Sequence, residues 1–453
     1  MRLGLHILIV LMTFTMSYGQ IIVPQPKVTV TGVVQDNKAE PIIGASVRLE
    51  GSAIGTITDI DGMFSLKIPV KRNPVLIISY TGYQEKRVPL PPMAPPTSTT
   101  QNRTIAINVN LDDGAEPLYA VEEYEVAKIF FGTDRTYDST KKLAKKFLNS
   151  QNRQSKIHWG SCEVSIPRAR EPGEIPRPSW WNRLTRQTNN PEKFVMVLTI
   201  DVDGERKVLN ALNDELQGTT DCSILLYIHG YNNSFEDAAH RTAQLSYDLG
   251  FKGRSIFYSW PSEKDFEKYP VDLQTAEWSR DNFKTFLFNL LDHTEYSNIY
   301  MVAHSMGNQL YKNALEDLID ERPQQVDRIR EIILAAPDID IEIFKRDIHP
   351  IFNELRAGIT LYSSSKDLAL RASKRFNGRR RLGDSGRYLT VLPNMETVDA
   401  SKVKTDFIGH AVFANSTSII TDMYYLIEER RRASERKNLS IGIQDGLKYY
   451  KID

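Results

Sequence analysis

The stretch NIYMVAHSMGNQLYKNAL, Asn298 to Leu315, constrains the fold more than any other part of the chain. Its first half is an unbroken apolar run, Ile299 to Ala303, of strand length rather than helix length. Such a run suits a strand buried on both faces, and strands of that kind belong to parallel sheets covered by helices. Its second half reads as a helix, and Ser305 stands at the joint. The same alternation recurs from about residue 121 to the end. EVAKIFFGT, CEVSIP, FVMVLTIDV, SILLYIHG, RSIFYSW, REIILAAP and GITLYSSS read as further short apolar strands. Helical patterns lie between several of them. Ser234 to Leu249 has a cap in Ser234, Asp237 three residues on, and Phe235, Ala239, Thr242 and Leu245 at helical spacing. Thr275 to Leu291 and Ser418 to Leu426 read as two more helices. Alternating strands and helices predict a mostly parallel sheet with helices on both faces.

Residues 27–112 follow another rule. VTVTGVVQD, ASVRLEGS and TIAINVNL alternate apolar and polar residues, and GTITDIDGMFSLKIP holds two short strands around Asp61-Gly62. Many short strands at close spacing predict a β-sandwich. Ahead of it, MRLGLHILIVLMTFTMSYGQ carries Arg2, an apolar core from Leu3 to Met12 and the small-residue pattern Ser17-Tyr18-Gly19. This is expected to be a secretory signal peptide spanning residues 1–19, the alternative being an N-terminal anchor. No later run is long and apolar enough for a transmembrane helix, so no integral membrane segment is expected after cleavage. The chain balances 57 Lys and Arg against 57 Asp and Glu, which argues against a broad nucleic-acid surface. Cys162 and Cys222 are too few for a disulfide framework, and the sequence leaves their pairing open.

Ala303-His304-Ser305-Met306-Gly307 is a small-x-Ser-x-Gly word between a strand and a helix. That placement fits a nucleophile elbow, in which a strained turn lifts the serine hydroxyl from the sheet edge and the flanking positions must be small. The helix N-terminus adds N–H groups and a positive dipole where negative charge develops. SILLYIHGYNNS supplies the partner loop. Gly230 lets the chain turn so that the Tyr231 N–H faces an oxyanion, and the Met306 N–H is the second donor, with His229 structural. The base must come later in the chain. His410, in DFIGHAVF, is preferred to His349, which is followed by Pro350. The acid is expected at Asp367, after GITLYSSSK, with Asp338 in LAAPDID as the alternative. Trp260 and Pro261 either line a pocket or pack the strand end. The run Lys374 to Arg387 is basic and reads as a solvated loop, with binding of an anionic substrate as its other reading.

Two resemblances join these features. GVVQDNKAEPIIGASVRLEGSAIGTITDIDGMFSL and LIISYTGYQ resemble the carboxypeptidase regulatory-like domain of exported bacterial proteins, notably in the Bacteroidetes. That likeness implies a transthyretin-like seven-stranded sandwich without a catalytic role, and export to the periplasm or cell surface. KIFFGTDR, GSCEVSIPRAREPGEIPRPSWW, LLYIHGYNNSFEDAAHRTAQLSYDLGF, FYSWPS, VAHSMGNQL, LAAPDID, LYSSSKDLAL and GHAVF resemble, in order, the α/β-hydrolase family catalogued as a domain of unknown function (DUF900). It implies the α/β-hydrolase fold and a serine hydrolase, and supplies no substrate.

The expectation is a multidomain chain: signal peptide, all-β sandwich over 27–112, and α/β-hydrolase over 121–453. Ser305, His410 and Asp367 would cleave a small or lipid ester through an acyl-serine, with Tyr231 and Met306 as oxyanion donors. The competing expectation is a non-catalytic binding or adhesion protein on the same fold. No HExxH word, paired-cysteine motif, acidic metal loop, GxGxxG or Walker loop is present, so neither metal nor cofactor is expected.

Overall fold

The computed structural model describes residues 27–36, 40–52, 54–70, 74–80, 83–91, 104–111, 124–152, 154, 156–178, 190–218, 221–294, 297–365, 378–403 and 416–452. The chain divides into two compact units, Met1–Val121 and Glu122–Asp453. Both cysteines are free. Cys162 is buried, and burial pushes its thiol pKa far above the usual range.

The first unit holds seven described strands in two sheets. Met63–Pro69, Lys27–Gln35 and Thr104–Asn110 form one; Gly55–Ile57, Ser46–Leu49, Val75–Ser79 and Lys86–Pro89 form the other. Their period-2 pattern buries alternate residues, including Val30, Val47, Leu66, Ile68, Leu76 and Ile78, in one core. Asp59 shapes the turn read from the sequence: its Oδ1 accepts from Asp61 N at 3.0 Å and Met63 N at 2.8 Å.

The second unit is built on an eleven-stranded sheet. In spatial order its strands are Met196–Asp203, His158–Pro167, Tyr124–Thr133, Arg254–Ser259, Ser223–Ile228, Asn298–His304, Ile329–Ala335, Gly358–Ser363, Glu396–Asp399, Leu447–Ile452 and Leu439–Gln444. Pairing is antiparallel at the two ends and parallel through the middle. The central strands are the apolar runs of the sequence; Ser223–Ile228 is buried at every residue. Each face carries its own core. Helix Phe235–Asp248 covers one face, with Phe235, Ala238, Ala239 and Leu245 in that core. Arg280–His293 and Tyr311–Glu321 cover the other through Phe283, Phe286, Leu290, Ala314 and Leu318. This is a mostly parallel sheet of the α/β-hydrolase kind.

The helix over 235–248 starts as read, with a capping box: Ser234 Oγ accepts from Asp237 N, and Asp237 Oδ2 accepts from Ser234 N at 2.9 Å. The pattern over Thr275–Leu291 instead spans two helices, Tyr269–Trp278 and Arg280–His293. They meet at Ser279, and its side chain makes no capping bond. Among the described residues no helix is long and apolar enough to cross a membrane.

Candidate active site

Strand order alone locates a crevice. From Ser223–Ile228 the chain moves outward to Arg254–Ser259, then returns to place Asn298–His304 on the other flank of Ser223–Ile228. The carboxyl ends of Ser223–Ile228 and Asn298–His304 therefore flank a topological switch point, where open α/β sheets bind ligands. The loop carrying Gly230 and the turn carrying Ser305 both leave the sheet there.

Ser305 has φ +51°, in the left-handed region. A residue with a Cβ pays about 1–2 kcal/mol to sit there, and His304 before it is extended at φ −105°. This is the left-handed strand-to-helix turn expected for the Ser305 word. A tight 3₁₀ turn, Ser305–Leu310, leads into helix Tyr311–Glu321. The small residues follow from crowding. A Cβ on Gly307 would collide with the His229 carbonyl, and one on Gly230 would come within 2.8 Å of both Ser305 Cβ and His304 Nδ1. Ala303 is fully buried. Asn308, which the sequence reading missed, staples the turn: its Nδ2 donates to Ala303 O at 3.0 Å and Ser305 O at 2.9 Å.

The loop carrying Gly230 is fastened from below by buried charge. Arg135 is fully buried and opens the short strand Arg135–Tyr137, just beyond Tyr124–Thr133. Its Nε donates to Ser259 Oγ at 2.9 Å, its Nη1 to Ser262 O at 3.2 Å and its Nη2 to Asn233 O at 2.8 Å. Its Nη2 also lies 3.3 Å from His229 Nε2. A guanidinium only donates, so His229 Nε2 accepts, and the Nδ1–H donates to Gly230 O at 2.8 Å. Burial and the Arg135 charge push the His229 pKa down to about 3. His229 is thus neutral, fixed in one tautomer and structural, as expected. Asp272 works from the other side. Its Oδ2 accepts from Asn232 N at 3.2 Å and Ser262 Oγ at 2.5 Å, and its Oδ1 from Glu263 N at 2.8 Å. Trp260 packs the strand end rather than lining a pocket: it is fully buried, stacks on His229 and donates Nε1–H to His229 O at 2.8 Å. Tyr231 and Met306 are both buried beside the elbow.

Asp338 is tied to the elbow through its backbone, Asp338 N donating to Ser305 O at 3.1 Å. Its carboxylate is engaged on both oxygens. Tyr269 Oη donates to Oδ2 at 2.9 Å, and Arg381 Nε lies 3.2 Å from Oδ1. Asp367 and His410 lie outside the described residues. His349 opens a short helix, with its Nε2 2.9 Å from Pro393 O. Of the basic run, residues 378–387 are described; Gly378, Arg379, Arg380, Gly386 and Arg387 are exposed, as a solvated loop would be, while Arg381 to Ser385 are buried and pinned by backbone pairing. Arg381 bridges Asp340, Leu382 N donates to Ile339 O at 2.9 Å, and Gly383 N to Pro337 O at 3.0 Å. Lys374 to Asn377 lie outside the described residues.

Known proteins share these two architectures. Residues 205–430 match the family described as "Alpha/beta hydrolase of unknown function (DUF900)", and residues 30–115 match the "CarboxypepD_reg-like domain". A segment of 64 residues is 42% identical to the TonB-dependent receptor SusC of Bacteroides thetaiotaomicron, covering 14% of this chain and 6% of that protein. Another of 61 residues is 39% identical to the TonB-dependent receptor P39 of Formosa agariphila, again 14% and 6%. The chain thus spans only a small part of either receptor. Among solved structures, a CIB-like hydrolase from Thermoplasma acidophilum aligns at 15% identity over 46% of this chain and 88% of that one, with TM-score 0.25.

Proposed function

Since residues 205–430 belong to an α/β-hydrolase family of unknown function, we propose that this chain is an exported serine hydrolase of carboxylic esters, with Ser305 as its nucleophile. The observation that carries the reading is the left-handed backbone of Ser305 between a buried strand and a helix, at the sheet's switch point and against Gly230. Other non-glycine residues of the chain also have positive φ, and Ser305 stands apart by its place between strand and helix at the switch point, where such strain fits an elbow.

In the proposed reaction Ser305 Oγ attacks the ester carbonyl carbon and its proton passes to His410. The carbonyl oxygen becomes an oxyanion facing the Tyr231 and Met306 N–H groups. When the C–O bond breaks, His410 returns the proton to the leaving alcohol. Water then attacks the acyl-serine, His410 takes its proton and gives it to Ser305 Oγ, and the carboxylic acid departs. Asp367 is the proposed orienting acid. The two-sided engagement of Asp338 supports a bracing role for that residue, with the triad acid as its second reading.

The segments similar to two TonB-dependent receptors, together with the carboxypeptidase regulatory-like domain, support an envelope or exported setting. A fluorophosphonate probe tests the chemistry: it should label the folded protein, and Ser305→Ala should abolish labelling. Folded protein that resists every serine-directed probe would overturn the proposal.

A further inference from the structure

On the flank of the elbow lies a cleft of about 320 Å³, lined in part by Arg280, Gln309, Lys312, Asp340, Arg379 and Arg381. Four cations face one carboxylate there. Each cation's acidic neighbour stands off. Arg280–Glu277 is 3.5 Å, Lys312–Asp347 3.4 Å, Arg379–Asp340 3.9 Å and Arg381–Asp338 3.2 Å. Charge-assisted N–H···O bonds run to about 2.7–2.9 Å, and this protein reaches that range elsewhere, as in Arg436–Asp422 at 2.7 Å and Arg432–Glu331 at 2.8 Å. The ion pairs around the cleft are therefore loose.

Arg381 is the sharpest case. Its side chain is only 7% exposed. Its Nε, though near Asp338, lacks hydrogen-bond geometry and is buried without a hydrogen-bond partner. A buried N–H donor left without an acceptor is costly unless something arrives to accept from it. Nor is Arg381 free to swing out, because its backbone is laddered to Asp340 and its N–H donates to Asp384 Oδ2 at 3.1 Å. The cleft is also coupled to the elbow by short steps. Asp338 N donates to Ser305 O, Gln309 Nε2 to Asp338 O at 3.0 Å, and Arg280 Nε to Gln309 O at 3.1 Å.

We propose that this cleft receives the anionic end, a carboxylate or phosphate, of the ester cleaved at Ser305. Arg381 offers the planar fork that matches either group, while Arg280, Lys312 and Arg379 add charge. The volume sits at the small end of ligand sites, about 300–1,000 Å³. A compact acid fits that space, and a long acyl tail does not. The proposal rests on the serine-hydrolase reading, and its test keeps the two apart.

The test compares mono-p-nitrophenyl glutarate with p-nitrophenyl valerate, two p-nitrophenyl esters of five-carbon acyl groups that differ in the terminal charge, on the full-length protein. The wild type should favour the charged ester by at least tenfold in kcat/KM. Arg381→Met should cut that ratio on the order of tenfold or more, Arg381→Lys should restore part of it, and raising the ionic strength should shrink it. Equal rates on the two esters, or a ratio unmoved in both Arg381→Met and Arg379→Gln, would overturn the proposal. Should neither ester react and the folded protein also resist every serine-directed probe, the hydrolase reading fails, and the cleft is judged separately. Glutarate or inorganic phosphate should raise the melting temperature of Ser305→Ala protein, and the rise should vanish in Ser305→Ala/Arg381→Met. A rise with glutarate alone assigns a carboxylate, a rise with phosphate alone assigns a phosphate, and no rise with either sinks the cleft as an anion site.

Discussion

The strain at Ser305 predicts a stability order opposite to the usual one. Two inactive variants differ there in a single methyl group, Ser305→Ala and Ser305→Gly. At φ +51° the alanine Cβ meets the same crowding as the serine Cβ, about 1–2 kcal/mol in the folded state. Glycine escapes that cost but loses more freedom on folding, about 0.4–1 kcal/mol. The difference leaves Ser305→Gly more stable than Ser305→Ala by about 0.5–1 kcal/mol. In a helix interior the same exchange runs the other way by about 0.5–1 kcal/mol. Urea unfolding of the two variants, with midpoints and slopes compared at one pH, reads the difference directly. Slopes should agree, so the midpoint carries the effect. Neither variant should take up a fluorophosphonate label. A Ser305→Gly protein less stable than Ser305→Ala would refute a held left-handed backbone at this position, and labelling of either variant would remove Ser305 as the nucleophile.

Three further expectations follow from individual contacts. Gly230→Ala puts a methyl 2.8 Å from Ser305 Cβ and His304 Nδ1; displacing the elbow by part of an ångström should lower kcat/KM about a hundredfold, and unchanged kinetics would mean that the loop has slack. Asp338→Asn removes the charge facing buried Arg381 and should cost about 3 kcal/mol in unfolding free energy, whereas Asp367→Asn should preserve stability and lower kcat by about 10⁴; full turnover in Asp367→Asn would move the acid role to Asp338. His240 is buried without a hydrogen bond to either ring nitrogen, and burial with the neighbouring Arg177 charge lowers its pKa to about 3. Its folded pKa lies below the unfolded value of about 6.5, so the wild type loses stability as pH falls below 6.5 and keeps losing it toward 3. His240→Leu should therefore gain on the wild type by about 2 kcal/mol between pH 8 and pH 5, and a gain independent of pH, read by urea unfolding, would exclude a buried neutral imidazole.

The elbow was legible because three local signals coincide on one short stretch: a five-residue apolar run, small residues two before and two after Ser305, and helical spacing beyond. Gly230 was legible for a similar reason, as the first glycine after a fully apolar strand. What fastens these loops was not. Arg135 is read in the sequence as the last letter of GTDR. Its partners Asn149, His229, Asn233, Ser259 and Ser262 come from three separate segments. No local pattern announces that a charged side chain will be swallowed whole, because the compensation is entirely tertiary. The break at Ser279 is likewise silent, with neither glycine nor proline to mark it. One missed element did carry a signal. The last two strands, Leu439–Gln444 and Leu447–Ile452, are joined by Asp445-Gly446, both with positive φ. An Asp-Gly pair between two alternating runs is a strong hairpin cue.

The basic run shows how the same residues change meaning once backbone pairing is known. In the sequence, arginines among glycines read as a solvated loop. In the fold, the ladder onto residues 337–341 turns Arg381 inward, and the charge facing it belongs to Asp338. That pairing bears on the choice of acid. A triad carboxylate must hold an imidazole in one orientation and offset the charge it gains. A carboxylate that accepts from Tyr269 on one oxygen and lies 3.2 Å from a buried guanidinium on the other is held from two sides. The same engagement makes Asp338 an effective brace, because its backbone N–H reaches Ser305 O while its side chain fixes the cation at the cleft. On this view the loop after Ile329–Ala335 couples nucleophile position to substrate charge. Asp338→Asn should then weaken stability and anion preference together, whereas Asp367→Asn should leave both intact and slow only the chemical step.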